Sequence, residues 1–392
     1  LVKGLPASSG ASASAVLGQL GAVRVGSLIQ MRRLQHGQTE QERRKAVSAL
    51  SASRLGLAVQ ELTLALADPS HRVRREAARA LGEIGDAAAV DALVRCLDDP
   101  APSVAEEAAE ALGKIGSARA GPALAALLGT EESDLRVAAI RALGRIGNGD
   151  SVGALVGALQ RSLVEGSWEE TEAAIEAIGA CHPPATPEAL IQLIRHPRRG
   201  IRSAAMDAIG EIGDVAAGAA LEEAFRDEQD PSVRTHGAFA LARTGRVSAL
   251  PAMFATLAAT PSEVGRKQIA NAIGALLEDR DMYRLLTADA MGRDDAVVRL
   301  INGLGPRSSG GAEFGSMRRS RQMARAAEAY ANGDLSEAAR LLVRLVHPSS
   351  GPVANILASA AMIEEGRTLT IEEFLVVLAA VRWTIRNQQG KT

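Results

Sequence analysis

The chain has 392 residues, of which 47% are hydrophobic and only 2% aromatic, and its formal net charge is -2. The apolar content is enough for a large core, and the length allows two domains or one extended array. The near-neutral charge and the lack of aromatic side chains argue against a nucleic-acid-binding surface. The two cysteines, Cys96 and Cys181, form no CxxC pair, which excludes a zinc ribbon and indicates a reducing, cytoplasmic location.

Residues 1–38 are predicted to be an N-terminal segment, either a capping helix or a membrane-proximal piece. The stretch 4–23 carries no charge, but it is rich in Ser and Gly and lacks the apolar core of a signal peptide. No apolar run in the chain approaches the roughly 18 residues that a membrane helix needs. The chain begins with Leu1 instead of Met, which suggests a processed product or part of a longer protein.

A motif that ends in Ala-Leu-Gly or a close variant recurs along residues 39–302. Its successive steps are 31, 31, 31, 35, 31, 32 and 32 residues. The aligned final residues are Ser51, Gly82, Gly113, Gly144, Gly179, Gly210, Ala242 and Gly274. Near-equal steps of this length are typical of a stacked repeat protein, since one unit is too small to bury its apolar faces alone.

Each unit is predicted to be a pair of helices. In the first helix, Val73, Ala77 and Leu81 fall on one apolar face, and Val90, Leu93 and Val94 mark the second helix. Capping boxes, in which two side chains satisfy each other's backbone donors, are predicted from four spacings. The pairs are Thr39 with Glu42, Ser103 with Glu106, Ser167 with Glu170, and Thr370 with Glu373.

Two sets of glycines are predicted to be structural. The first set follows the last apolar residue of a first helix, where a left-handed residue ends the helix. It comprises Gly85, Gly116, Gly147 and Gly213. The second set lies one turn earlier, still in the helix, and is predicted to allow close approach of a neighbouring helix. It comprises Gly82, Gly113, Gly144, Gly179 and Gly210.

The unit "DPSxxVRxxAAxALGxIGD…AVxALxxxL" resembles the HEAT repeat, in particular the short, Ala- and Gly-rich bacterial HEAT-like type also found in phycobilin lyases. The resemblance covers about two-thirds of the chain, from Thr39 to Gly303. It implies an all-α fold, a right-handed α-solenoid of about eight helix pairs with armadillo-like stacking. It also implies that the second helices line the concave side.

The array is followed by a predicted flexible linker at 303–316 and a small helical domain at 317–392. Gly and Ser dominate the linker sequence. The stretch "AEAYANGDLSEAARLLVRL" resembles a tetratricopeptide helix pair. An amphipathic docking piece is the alternative to a small domain.

Two features of the array are candidate partner-binding sites. Arg195, Arg198, Arg199 and Arg202 gather at one turn between helices, where they could grip a phosphate or an acidic stretch of a partner. Trp168 lies beside the 35-residue step and is one of only two tryptophans. An exposed Trp would anchor a partner; a solvated turn and a buried Trp are the alternatives.

No catalytic, cofactor-binding or metal-binding residue is predicted. The six histidines form no pair of metal-ligand spacing, and the sequence contains no phosphate-binding loop or nucleophile motif. Cys181 and His182 are adjacent but lead into Pro183 and Pro184, which favours a structural loop.

The sequence therefore favours a non-catalytic scaffold for protein–protein interaction, with no cofactor and no nucleic acid. One alternative is the cytoplasmic regulatory tail of a major facilitator type transporter, which the join "VGSLIQMRRLQHGQTEQERRKAV" resembles. The Arg32-Arg33 pair would then lie just inside the membrane. Membrane contact would arise only through residues 1–38 or a region upstream. A second alternative is a phycobilin lyase or isomerase subunit, which the repeat type implies by resemblance alone.

Overall fold

The computed structural model describes residues 39–53, 56–304, 313–346, 352–361 and 368–389, together with Gln30, Leu34 and Gly37. The regular secondary structure of these residues is entirely helical. They form an all-α solenoid, as the sequence predicted. Two compact units divide the chain, one ending at Pro183 and the other beginning at Pro184.

Unit 1, defined as the part up to Pro183, is a stack of helix pairs. Its helices are α1 (Glu40–Ser53), α2 (Gly56–Ala65), α3 (His71–Ile84), α4 (Val90–Arg95), α5 (Pro102–Ile115), α6 (Gly121–Leu127), α7 (Ser133–Ile146), α8 (Val152–Glu165) and α9 (Trp168–Ala180). The first helices of consecutive pairs pack on one another in the order α1, α3, α5, α7 and α9. Their shared apolar faces supply the core, in which Val73, Ala77 and Leu81 are fully buried.

Unit 2, defined as the part from Pro184 onward, combines further helix pairs with the C-terminal helices. Its helices are α10 (Glu188–Leu193), α11 (Arg199–Ile212), α12 (Gly218–Asp227), α13 (Pro231–Arg243), α14 (Leu250–Ala259), α15 (Glu263–Leu276), α16 (Arg280–Thr287), α17 (Ala290–Asn302), α18 (Glu313–Ala331), α19 (Leu335–Val343), α20 (Ala354–Ala361) and α21 (Ile371–Gln389). The first helices α11, α13 and α15 stack in the same manner as those of unit 1.

Small residues let consecutive first helices approach closely. A Cβ atom placed on Gly82 would lie 2.7 Å from the Cα of Ala111 on the next first helix. The same relationship holds between Gly113 and Ala142, at 2.8 Å. Gly85 then ends α3 with φ at 77°, the left-handed conformation that glycine adopts without strain.

Arginines join consecutive turns between repeats. Arg74 donates to the carbonyl oxygens of Asp68 and Pro69 in the turn before its helix, and its guanidinium forks onto Asp99 in the next turn at 2.7 and 2.8 Å. The hydrogen bond from Arg74 holds the pKa of Asp99 below its ordinary value. Arg43 pairs with Asp68 in the same way. These largely buried arginine–aspartate pairs link consecutive repeats, in addition to the apolar contacts between first helices.

Two of the four predicted capping boxes form. Thr39 with Glu42, and Thr370 with Glu373, exchange hydrogen bonds between side chain and backbone as predicted. The box at Ser103 is wrong because α5 begins one residue earlier, at Pro102. The box at Ser167 is also wrong. Glu170 lies fully buried and pairs with Arg136 at 2.8 Å instead of turning back to its own helix end.

The C-terminal helices pack with the last repeat helices inside unit 2. Tyr330 on α18 donates to the carboxylate of Asp294 on α17 at 2.7 Å, and its ring lies 5.1 Å from that of Phe374 on α21. Burial, together with this hydrogen bond, raises the pKa of Tyr330.

The predicted boundaries at 38 and at 303–316 stay predictions. Residues 305–312 and nearly all of 1–38, including Arg32 and Arg33, lie outside the described residues. Among the helices that are described, none has both the length and the apolar character required to cross a bilayer.

Candidate partner-binding site

A groove of about 810 Å³ lies within unit 2. Two second helices of consecutive repeats, α12 and α14, form one wall, and α20 and α21 form the other. Repeat stacking places α12 beside α14, and the C-terminal helices return to face them. The groove therefore needs both the repeats and the C-terminal segment.

Apolar side chains line much of this groove. Phe254 on α14 and Val376 and Val377 on α21 are buried in the walls of the groove. Ile356 on α20 is partly exposed. Ala255 is exposed on the α14 side. A concave apolar surface of this kind gains free energy when a partner's apolar side chains cover it.

A buried carboxylate organises the polar end of the groove. Glu222 is only 5% exposed, and one of its oxygens accepts hydrogen bonds from Arg246 at 2.8 Å and Ser248 at 2.7 Å. Its other oxygen accepts from Arg226. The guanidinium groups of Arg226 and Arg246 reach solvent at the groove edge, and their bonds to Glu222 hold them in place there. They can donate to carbonyl or carboxylate oxygens of a bound segment.

The α21 wall is anchored at both ends of the helix. Thr370 and Glu373 cap its first turn, and Arg382 near its other end reaches Asp279 at 2.7 Å. Arg386 donates to the carbonyl oxygens of Leu277 and Glu278. Burial acts to raise the pKa of Asp279, but the hydrogen bond and charge of Arg382 outweigh it and the pKa lies below its ordinary value.

The predicted arginine cluster lies in unit 2 around the turn before α11. Arg202 is largely buried and forks onto Glu228 at 2.6 and 3.0 Å, in the same role as Arg74. Burial acts to raise the pKa of Glu228, but Arg202 outweighs it and lowers that pKa. Arg195 and Arg199 are exposed and face acidic residues of the next repeat, at 3.1 Å from Glu223 and 3.9 Å from Asp230 respectively.

The structure thus joins Arg195, Arg199 and Arg202 with carboxylates of the same unit. Repeat packing explains the pair of Arg202, because it places Glu228 in the next turn beside it, as it places Asp99 beside Arg74. Capture of a partner by this cluster stays a prediction.

Trp168 is the first residue of α9 in unit 1 and is half-buried. Its role as an anchor also stays a prediction. Cys181 is buried with its Sγ 3.9 Å from the carbonyl oxygen of Leu143, and burial raises the pKa of its thiol. The adjacent His182 is exposed, with φ at 43°, in the turn that follows α9.

The sequence reasoning missed the groove and a second feature, a set of arginines on α18 and α19. The groove has no sequence signal, because it depends on how the C-terminal helices fold back. The arginines of α18 do have a sequence signal, since residues 314–327 contain Arg318, Arg319, Arg321 and Arg325 and no acidic residue. In the described part of the chain, no group of three or more His, Cys, Asp or Glu side chains could hold a metal ion.

These features define an α-solenoid repeat protein with a groove along its second helices. The family model of HEAT repeats matches residues 27–113, 59–136 and 159–242, and that of the PBS lyase HEAT-like repeat matches 135–161. The chain belongs to the HEAT-like repeat proteins. A comparison with curated proteins returns no match.

Several solved structures are similar to this chain. An engineered protein is 20% identical, with a TM-score of 0.48, and the match covers 92% of this chain and 99% of that one. The complex of CpcE and CpcF of phycocyanin lyase from Nostoc sp. PCC7120 is 25% identical, with a TM-score of 0.37 over 64% and 94%. Importin beta is 14% identical, with a TM-score of 0.48 over 88% and 55%.

Proposed function

We propose that this protein is a non-catalytic scaffold that holds a segment of another protein in the groove between α12, α14, α20 and α21. The observation that carries the proposal is the combination of an apolar lining with oriented charges at one end. An apolar centre with a polar rim is the usual anatomy of a protein-binding surface.

The volume supports a peptide segment as the occupant. About 810 Å³ accommodates several side chains of one extended or helical segment. The exposed Ala255 and the partly exposed Ile356 would contact its apolar side chains. Arg226 and Arg246, held by Glu222, would donate to its backbone carbonyls or to a carboxylate and so fix its orientation.

The test uses two variants of one helix. Peptides that bind the purified chain are first selected from a random displayed library. Ala255→Arg places a long charged side chain in the groove, whereas Ala258→Arg places the same side chain on an exposed position of α14 outside the groove. Affinity for the selected peptides should fall at least about tenfold, ~1.4 kcal/mol, in the first variant and stay unchanged in the second.

Both variants should unfold at the same temperature as the parent chain, because both positions are exposed. Equal binding by the two variants would contradict the proposal, as would a selection that enriches no peptide.

The two alternatives stay predictions. The transporter-tail alternative depends on residues 1–38 and on any region upstream. The lyase alternative depends on the repeat type, and a spectral shift on mixing the chain with a bilin would support it.

A further inference from the structure

We propose that Arg319, Arg321, Arg325 and Arg344 form a binding site for a phosphate group carried by a protein segment. This site is separate from the groove, and the proposal stands whether or not the groove binds a partner. All four residues line a cavity of about 630 Å³ between α18 and α19 in unit 2.

These arginines differ from most of the others by the absence of an acidic partner. Arg340 on α19, four residues before Arg344, pairs with Glu337 at 3.1 Å, and Arg382 pairs with Asp279. Within the described residues, none of the four cavity arginines has a carboxylate within ion-pair distance. The described lining of the cavity therefore gathers four positive charges and no acidic residue, in a chain whose total charge is -2.

Their geometry is held by the packing of α18 on α19. The amide of Gln322 donates to the carbonyl oxygen of Leu341 at 3.1 Å, across the two helices and inside the cavity lining. Leu341 and Leu345 are buried below the arginines. The packing of the two helices thus fixes the backbone positions from which the four arginine side chains extend around one cavity.

The residue type points to phosphate. Each guanidinium presents a planar fork of donors that matches two oxygens of a phosphate, and every charged side chain in the described lining of the cavity is an Arg. A phosphate monoester carries about -1.5 to -2 charges at pH 7 and three acceptor oxygens, which suits several guanidinium groups at once.

The surroundings favour a phosphate on a protein over one on nucleic acid or lipid. Among the described residues that line the cavity, none is an aromatic side chain on which a base could stack. A concave site between two helices admits a single protruding side chain, whereas a bilayer surface presents many headgroups in one plane. A phosphorylated serine or threonine of a partner needs no stacking surface and can enter a concave site as a single side chain.

The experiment measures retention of peptide pools on the immobilised full chain. One pool is degenerate around a fixed phosphoserine, a second around serine, and a third around glutamate. We expect the phosphoserine pool to be retained at least about tenfold more than the other two, because charge-assisted bonds to phosphate are stronger and more numerous. Inorganic phosphate should compete for the retained peptides.

The test variant is Arg321→Gln/Arg325→Gln and the matched control is Arg280→Gln/Arg284→Gln. Both remove two exposed arginines at i, i+4 spacing from a helix of unit 2, so both change the net charge equally. Phosphoserine retention should fall by about tenfold in the test variant and stay unchanged in the control. Thermal unfolding should be equal in the two variants.

Three results would overturn the proposal. The first is equal retention of the three peptide pools, and the second is an equal loss of phosphoserine retention in the two double variants. The third is that the chain binds vesicles containing phosphatidylserine through Arg321 and Arg325 but does not retain the phosphoserine pool. The third result would assign the cluster to a membrane surface instead.

Discussion

The carboxylate of Asp279 is joined to the guanidinium of Arg382, 103 residues further along the chain, by hydrogen bonds of 2.7 Å. Both side chains are largely buried, at 3% and 12% exposure. The other oxygen of Asp279 accepts from the backbone N–H groups of Asp281 and Met282 and so caps α16. One carboxylate therefore caps the first turn of α16 and fixes the α21 wall of the groove.

Replacement of Asp279 should loosen α21. Asp279→Asn leaves Arg382 buried without its counter-charge, and removal of one partner of a buried pair costs about 3–5 kcal/mol of unfolding free energy. Urea unfolding of the full chain measures the change. The control is Arg280→Gln, which removes an exposed arginine next to Asp279 in the chain. A loss in Asp279→Asn no larger than that of the control would contradict the assigned role.

The same pair predicts a pH dependence of stability. Because the folded state lowers the pKa of Asp279, its contribution is present in full above the ordinary value of 3.8 and is lost as pH falls through the lower folded pKa. Unfolding free energy measured from pH 6 to about pH 2 should therefore fall more steeply for the parent chain than for Asp279→Asn. Parallel curves would show that the carboxylate titrates alike in both states.

Glu170 is expected to be essential to the fold of unit 1. It is fully buried and accepts from both Arg136 and Arg161. Glu170→Gln removes the one fully buried carboxylate that Arg136 and Arg161 share and leaves them only the half-exposed Glu165, at 3.3 and 3.8 Å. The change should cost about 3–5 kcal/mol. The adjacent Glu169 is 71% exposed, and its pair with Arg141 lies on the surface. Glu169→Gln should change stability by less than about 1 kcal/mol, and similar losses in both variants would contradict the account.

The close approach of first helices predicts a destabilising methyl group. In Gly82→Ala the new Cβ would lie 2.7 Å from a backbone atom of Ala111, so the two helices must separate. We expect a loss of about 1–3 kcal/mol. Gly157 lies exposed in the interior of α8 with no atom within 4 Å of an added Cβ. Gly157→Ala should therefore stabilise the chain by roughly 0.5–1 kcal/mol, and thermal unfolding compares the two.

The repeated motif predicted the helix pairs because each unit repeats the same burial pattern. Val73 and Leu81 are apolar for the same reason as their equivalents in the next unit, and Gly82 is small because Ala111 lies against it. Periodicity carries this information directly, since every unit meets a similar neighbour.

The polar contacts between repeats were harder to predict. The spacing of Ser167 and Glu170 fits a capping box, but Arg136 from the preceding repeat forms the stronger, buried ion pair with Glu170. The sequence likewise predicted a partner-binding role for Arg202, but Arg202 pairs with Glu228, which lies 26 residues further along the chain in the next turn between repeats. A local pattern does not contain the partner that tertiary packing provides.

The groove could not be predicted because it depends on contacts of long sequence separation. Phe254 lies in the repeats and Val376 in the C-terminal helix, and nothing in either local sequence indicates that they line the same surface. The arginines of α18 were visible as a charge run, but Arg344 joins them only through the packing of α18 on α19.

Hydrogen exchange with a groove-binding peptide tests the central claim most directly. Amide exchange of the full chain is compared with and without a peptide from the displayed library. If the groove holds the segment, protection should increase in Gly218–Asp227, Leu250–Ala259 and Ile371–Gln389. Protection confined to unit 1 or to α18 and α19, with no change in these three helices, would contradict the account.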